Sequence, residues 1–416
     1  MKYGLIGEKL SHSFSKEIHE ALADYTYEIR ELAPEEVSPF LEAREFEGIN
    51  VTIPYKEKVI PYLDHISDAA KKIGAVNTIK NVDGKLYGDN TDFYGMREMI
   101  IGANIDVEGK KALILGTGGT SKTAKAVLAD LGAREIITVS RKESGETVTY
   151  ENAYELHRDA EIILNTTPVG MYPNTDAVPI DIKNFPDLCG VIDAVYNPLR
   201  TRLVLDAEAE GIPAVGGLMM LILQAARASE IFLGQETDEK KVVTTIRNIF
   251  ESKENIVLVG MPGSGKTTLG RILSEMTGRT LVDTDEIITE MTGRHPAEII
   301  KKDGEREFRR IETEAVKEVS KMSGVIVATG GGVVTRKENI PFLRPNGRIV
   351  YLHCIPSDLA VTPDRPLSAS RSVINAMYEV RHPLYLEAAD ASVEISHKTS
   401  PELSAMGVLN TFSELI

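Results

Sequence analysis

Cysteine is scarce: only Cys189 and Cys354 occur in 416 residues, far apart and without CxxC spacing. That excludes a disulfide framework and argues against a thiolate zinc centre. Cations are also in deficit, with 47 Lys and Arg against 62 Asp and Glu and a net charge of −15. Bulk nucleic-acid binding needs a basic footprint, so nucleic acid is not an expected partner. No apolar run reaches the roughly 18 residues of a membrane span. The longest, 218–226, runs straight into Arg227. The first residues, MKYGLIGEKLSHS, lack the apolar core of a signal peptide, and the cytoplasm is the expected compartment. Low-complexity tracts and short-period repeats are absent too.

What is present is ordinary globular composition, 42% hydrophobic and 26% charged. At about 150 residues per domain, the length suggests two or three domains. Charge is uneven. Residues 1–250 hold 39 acidic and 27 basic side chains, and residues 251–416 hold 23 and 20, of which 12 are Arg. Arginine forks suit carboxylates and phosphates. Strand-length apolar runs at 3–6, 112–115, 136–139, 162–164, 191–194, 256–259, 325–328 and 349–352 alternate with helical patterns. That alternation predicts an α/β fold with parallel sheets. New strands with Gly-rich turns restart the pattern near 105 and 256. The chain therefore reads as units 1–104, 105–235 and 254–416, with 236–253 a helix end and linker.

Residues 260–268 read GMPGSGKTT after the run 256–259, and a helical pattern with Leu269, Ile272, Leu273 and Met276 on one face follows. This is GxxxxGK[ST] in its confirming context, a phosphate loop. Its backbone N–H groups, with Gly263, Ser264, Gly265 and Thr268, curl around phosphate oxygens, and the helix N-terminus adds positive potential. Lys266 should reach the β- and γ-phosphates of a nucleotide, and the Thr267 hydroxyl should ligate Mg²⁺. Asp283 and Asp285, spaced i, i+2 on a strand end, point the same way toward the ligand rim. A helix N-cap is the alternative role for either aspartate. The run GEREFRRIE (304–312) is dense in Arg, and a solvated charged face is its alternative reading. Gly330, Gly331 and Gly332 end a buried strand and permit close backbone approach to a ligand.

With DRPL (364–367) and RHPLY (381–385) added, residues 255–395 resemble shikimate kinase. The resemblance implies a P-loop NTPase domain of the nucleoside monophosphate kinase type, with a parallel sheet. It implies that Asp285, Arg309, Arg381 and Gly330, Gly331 and Gly332 bind shikimate, the Arg pair on its carboxylate. It further implies that Asp283 supports Mg²⁺ and that Arg365 belongs to a lid over the transferring phosphoryl group. Val361 departs from the family pattern. It stands where these kinases carry an adenine-stacking Arg, and the segment to Arg365 is shorter, which bears on nucleotide affinity and lid closure.

The earlier Gly-rich turn, LILGTGGTS (113–121), is a variant of the dinucleotide fingerprint without its third glycine. Gly116, Gly118, Gly119, Thr120 and Ser121 form it. The next strand ends at Ser140, Arg141 and Lys142. An acidic residue there would take the ribose of NAD, whereas Arg141 favours the 2′-phosphate of NADP. Upstream, SHSFS (11–15), NVTIPYK (50–56), GAVNT (74–78) and GDNTD (88–92) supply hydroxyls, amides, a Lys and an Asp, a set suited to a small polyol.

With NTTPVG (165–170), DAVYNP (193–198) and GGLMMLILQAA (216–226), residues 1–250 resemble shikimate dehydrogenase. The resemblance implies an α/β substrate domain completed by helices at about 218–250 and a Rossmann NADP-binding domain. By it, Ser13 and Ser15 bind the substrate carboxylate, and Thr52, Asn77 and Gln224 contact ring hydroxyls or carboxylate. Tyr196 lies beside the substrate. Lys56 and Asp92 form the catalytic pair. Asn165, Thr166 and Met220 lie on the nicotinamide side, and Gly217 joins them in the cofactor-binding set. Together the two resemblances imply a fusion that reduces 3-dehydroshikimate with NADPH and phosphorylates the shikimate formed with MgATP. Oligomerisation is left open. The alternatives are a quinate-and-NAD dehydrogenase and a kinase-like part that only senses its ligand.

Overall fold

The computed structural model describes residues 1–10, 14–142, 144–359, 370–396 and 398–415. The chain divides into two compact units, Met1–Ile249 and Phe250–Ile416.

The first unit holds two six-stranded sheets. One comprises β1 (Tyr3–Gly7), β2 (Tyr27–Glu31), β3 (Gly48–Val51), β4 (His65–Ile66), β5 (Thr78–Val82) and β6 (Lys85–Asp89), in the order β2-β1-β3-β5-β6-β4. It is mixed: β3, β5 and β6 pair antiparallel, which corrects the expectation of parallel sheets throughout. The reason is the Asp83-Gly84 turn, both residues at positive φ (52° and 82°), which closes a two-residue hairpin. The other sheet comprises β7 (Lys111–Leu115), β8 (Glu135–Ser140), β9 (Thr147–Thr149), β10 (Ile162–Asn165), β11 (Gly190–Asp193) and β12 (Ala214–Val215), all parallel, in the order β12-β11-β10-β7-β8-β9. Every residue of β7 is buried, as expected of a strand covered on both faces. The strand order reverses between β7 and β10, where ligands bind in doubly wound sheets.

Helix Leu218–Leu233 is the apolar run of the sequence, closed by Gly234 at φ 69°. Gly95 of helix Thr91–Gly102 lets the two helices touch, since a Cβ there would lie 2.6 Å from the Met220 carbonyl oxygen. Residues 239–253 form one helix to Lys253, so the expected linker end is helical.

The second unit has one parallel sheet: β13 (Asn255–Val259), β14 (Leu281–Asp283), β15 (Ile326–Ala328), β16 (Gly347–His353) and β17 (Ala391–Glu394), in the order β14-β15-β13-β16-β17. Helix Lys266–Thr277 buries Leu269 and Leu273 but leaves Met276 47% exposed, a correction to its predicted apolar face. The tail forms helix Pro401–Glu414. It buries Ala405, Val408 and Phe412 in the core with Ile256 and Leu258, at roughly 1.5–3 kcal/mol for each large apolar side chain covered.

Candidate active sites

A cavity of about 350 Å³ in the first unit is lined by Ser15, Thr52, Lys56, Asn77, Asp92, Tyr196 and Gln224, all anticipated from sequence, and by Leu5, Lys9, Leu10, Asn50, Val51 and Leu221. Thr52 follows β3, and its N–H donates to the Ile6 carbonyl at 3.0 Å. Asn90 caps helix Thr91–Gly102, which sets Asp92 in the first turn, where the helix dipole favours a carboxylate. Lys56 Nζ donates to Asp92 Oδ2 at 2.6 Å, with side chains 26% and 16% exposed. Ser15 opens helix Ser15–Leu22 and is buried. Tyr196 meets Phe14 edge-on at 5.6 Å, and burial pushes its phenol up. Ser13 lies outside the described residues.

Behind this wall runs a buried polar network. Asn77 Oδ1 accepts the Thr91 N–H at 2.7 Å, and Thr91 Oγ1 donates to Gln224 Oε1 at 3.2 Å. Asn50 Nδ2 donates to Thr78 Oγ1 at 3.0 Å, and the Tyr27 hydroxyl donates to Asn50 Oδ1 at 2.7 Å. Asn50 and Thr91 were not singled out from sequence, although both sit inside quoted motifs.

At the β7 exit, Gly116 turns the chain at φ 108°. A Cβ at Gly118 or Gly119 would meet nothing within 4 Å, and Gly118 begins helix Gly119–Asp130 with no side-chain cap. Backbone N–H groups are thus open to an anion. Thr120 and buried Ser121 lie at the start of that helix. Ser140 donates its hydroxyl to the Lys142 carbonyl, and Arg141 and Lys142 are exposed just past β8. Thr166 Oγ1 donates to the Leu115 carbonyl at 2.7 Å. Asn165 turns inward: fully buried, its Nδ2 donates to Asp193 Oδ1 at 3.0 Å. Gly217 abuts the Ala194 carbonyl, 2.3 Å from where a Cβ would sit, and Met220 is buried.

In the second unit, Gly260, Gly263 and Gly265 all have positive φ. Lys266 Nζ donates to the Gly260 and Met261 carbonyls at 2.8 and 2.9 Å. Ser264 Oγ is buried without a partner among the described residues. Thr267 Oγ1 donates to Asp283 Oδ2 at 2.8 Å, and Asp283 Oδ1 accepts the Asp285 N–H at 2.9 Å. Asp283 is therefore an N-cap, and Asp285 stands in the first turn of helix Thr284–Thr292. This corrects the picture of two aspartates side by side on one strand, because the chain turns helical at Thr284. Thr268 follows on the phosphate-loop helix. Among the described residues, no cluster of three or more His, Cys, Asp or Glu could hold a metal.

Arg309 is buried and donates to Glu312 Oε2 at 2.8 Å and Glu305 Oε1 at 3.1 Å. Burial pushes the Glu312 carboxyl up, and Arg309 opposes that. A Cβ at Gly332 would fall 2.1 Å from Arg309 Nη1, and one at Gly330 would fall 2.6 Å from Glu312 Oε1. Arg381 Nη1 and the Tyr385 hydroxyl both donate to the Gly331 carbonyl, at 2.9 and 2.5 Å. Burial lowers the Arg381 guanidinium. Arg310 by contrast is exposed and pairs with Glu307, the solvated face considered for this run. A cavity of about 790 Å³ opens beside Arg309, lined also by Arg306, Arg310 and Arg336. Glu312 and Tyr385 were not singled out from sequence. Val361 and Arg365 lie outside the described residues.

Comparisons with known proteins find relatives for both units. A family model for shikimate kinase matches residues 262–412, and one for the shikimate dehydrogenase substrate binding domain matches residues 5–79. The chain is 41% identical over 271 residues to a shikimate dehydrogenase (NADP(+)) of Clostridium beijerinckii, covering 60% of this chain and 98% of that protein. Among solved structures, a chorismate mutase/shikimate 5-dehydrogenase fusion from Clostridium acetobutylicum matches at 33% identity and TM-score 0.57, over 60% of this chain and 97% of that one. The shikimate 5-dehydrogenase of Thermus thermophilus, solved with NADP(H) and shikimate, matches at 30% identity and TM-score 0.54, over 60% and 99%. The chain belongs to the shikimate dehydrogenase family over its N-terminal 60% and carries a shikimate kinase part behind it, two enzymes of the shikimate pathway in one polypeptide.

Proposed function

We propose that the first unit reduces 3-dehydroshikimate to shikimate and that the second phosphorylates the hydroxyl so formed. The observation that carries this reading is the Lys56–Asp92 pair at 2.6 Å, on the wall of a cavity otherwise rich in hydroxyls and amides. Such a cavity suits a small polyol. As the ketone becomes an alkoxide, Lys56 Nζ gives up a proton to its oxygen, and Asp92 orients the ammonium. Ser13 and Ser15 take the substrate carboxylate; Thr52, Asn77 and Gln224 take its hydroxyls; Tyr196 covers one side. NADPH, when bound, supplies the hydride. The open backbone at Gly118 and Gly119 fits its pyrophosphate, and Arg141 and Lys142 fit its 2′-phosphate. With Arg141→Ala, KM for NADPH should rise about tenfold, the effect of one lost charge-assisted contact, and the rate with NADH should barely move. Initial rates with both cofactors test this. Equal loss with both would contradict the assignment of Arg141.

In the second unit Asp285 accepts from the attacking hydroxyl, and Arg309 and Arg381 hold the carboxylate. Lys266 exchanges its carbonyl partners for phosphate oxygens of ATP, and the Ser264 hydroxyl, without a partner among the described residues, belongs to the same loop. Thr267 and Asp283 would hold Mg²⁺, which when bound offsets phosphate charge. Gly332→Ala should drive a methyl into the Arg309 guanidinium, which Glu312 and Glu305 hold in place. KM for shikimate should then rise about 10- to 100-fold, as for a lost bond to a charged group, with reduction of 3-dehydroshikimate unchanged. A normal KM would show that Arg309 does not grip the substrate.

A further inference from the structure

The buried carboxylate of Asp193, at the end of β11, belongs to neither set of residues above. Its Oδ1 accepts from Asn165 Nδ2 at 3.0 Å and from the Val195 N–H at 2.9 Å. Its Oδ2 accepts from Thr201 Oγ1 at 2.6 Å. These three donors belong to three separate pieces of the dehydrogenase unit. Asn165 ends β10 and also organises the following turn, accepting from the Thr167 N–H at 3.0 Å and hydroxyl at 2.7 Å. Val195 begins the segment that carries Tyr196 into the substrate cavity. Thr201 caps helix Arg202–Ala209.

The same segment is pressed from its other side. The Gly217 N–H donates to the Val195 carbonyl at 2.9 Å. A Cβ at Gly216 would lie 2.6 Å from the Leu199 carbonyl oxygen, and one at Gly217 would lie 2.3 Å from that of Ala194. Gly217 leads directly into the helix bearing Met220 and Gln224. One carboxylate thus fixes a turn at the dinucleotide side and a turn at the substrate side at once.

We propose that Asp193 is a positioning residue for the binding of both dehydrogenase ligands, whose ionised carboxylate holds the Asn165 turn and the Tyr196 turn in register across the site. This deepens the dehydrogenase reading above and rests on it. Burial lifts the Asp193 carboxyl to about 7, while the bonds from Thr201, Val195 and Asn165 pull it down. None of these three facing groups carries a charge. Protonation places a hydrogen where a donor already points, so the register is complete only above that range.

The test uses the full chain and initial rates of NADPH oxidation between about pH 5.5 and 9. Asp193→Asn keeps the shape and removes the charge. Above the inflection, KM for 3-dehydroshikimate and KM for NADPH should rise together by about tenfold, with kcat falling far less. The wild type should show kcat/KM rising through an inflection near pH 7, and the variant should lack it. Thr201→Val removes one donor and should move the inflection upward. Unchanged KM values, or a fall in thermal midpoint alone, would overturn the proposal. If Asp193→Asn does not fold, an inflection unmoved in Thr201→Val would overturn it. If the wild type oxidises no NADPH, the reaction reading fails instead. The proposal is then judged by fluorescence titration of NADPH, where equal binding by wild type and Asp193→Asn would overturn it.

Discussion

Lys56→Ala will stop NADPH oxidation by 3-dehydroshikimate while leaving shikimate phosphorylation intact. A placed proton donor contributes typically about 10²–10⁴-fold, and the loss in kcat should fall in that range. The fold should survive. The Lys56 backbone carbonyl, which accepts from the Val76 N–H at 2.8 Å, is untouched. Asp92, left without its cation, still sits in a helix first turn where its charge is favoured. Lys56→Arg sharpens the test, because it keeps positive charge but replaces a compact ammonium with a planar fork. If Lys56 acts through the proton on Nζ, arginine will not rescue the rate. Full activity in the alanine variant would remove Lys56 from the reaction.

Lys266→Ala should have the complementary result. Phosphoryl transfer depends on cations fixed around the phosphates, and removal of one preorganised donor costs about 10²–10³ in kcat. Lys266 is buried and satisfies the carbonyls of Gly260 and Met261. Its loss should also destabilise the second unit by about 1–3 kcal/mol, the cost of leaving buried acceptors unpaired. Lys266→Arg separates these effects, since it can keep a donor near the carbonyls but replaces the compact ammonium with a bulkier planar fork. Dehydrogenase rates should be unchanged in both variants. A Lys266→Ala protein that still makes shikimate 3-phosphate would contradict the kinase reading.

Much of this was legible in the sequence because the chemistry sits where local pattern is strongest. The runs that became β7 and β13 are apolar, bounded by glycine and followed by helical periodicity, so the glycine turns after them could be located to the residue. Lys56 and Asp92 lie in short polar motifs at a strand exit and a helix start, where turn chemistry marks the chain, and Arg309 and Arg381, inside helices Glu305–Val319 and Arg371–Ala388, stand in the runs GEREFRRIE and RHPLY. Other features escaped for physical reasons. The antiparallel pairing of β5 and β6 hangs on Asp83-Gly84, a two-residue hairpin signal inside a short polar stretch. Asp283 and Asp285 looked like strand neighbours because an N-cap and a strand end favour the same residue type. Asp193, Glu312 and Tyr385 act on partners 28, 3 and 54 residues away. Two of those pairings exist only once the sheets have formed. Met276 misled because an apolar residue at helical spacing need not face the core when the helix is the outer layer.

Formation of a hydroxyl in the first unit and its phosphorylation in the second are tested together on the full chain with 3-dehydroshikimate and NADPH, with and without MgATP, by nicotinamide absorbance and product mass. NADPH loss with shikimate as product is expected in the absence of MgATP, and shikimate 3-phosphate when it is present. NADPH loss without any phosphorylated product would contradict the kinase half, and no NADPH loss would contradict the dehydrogenase half.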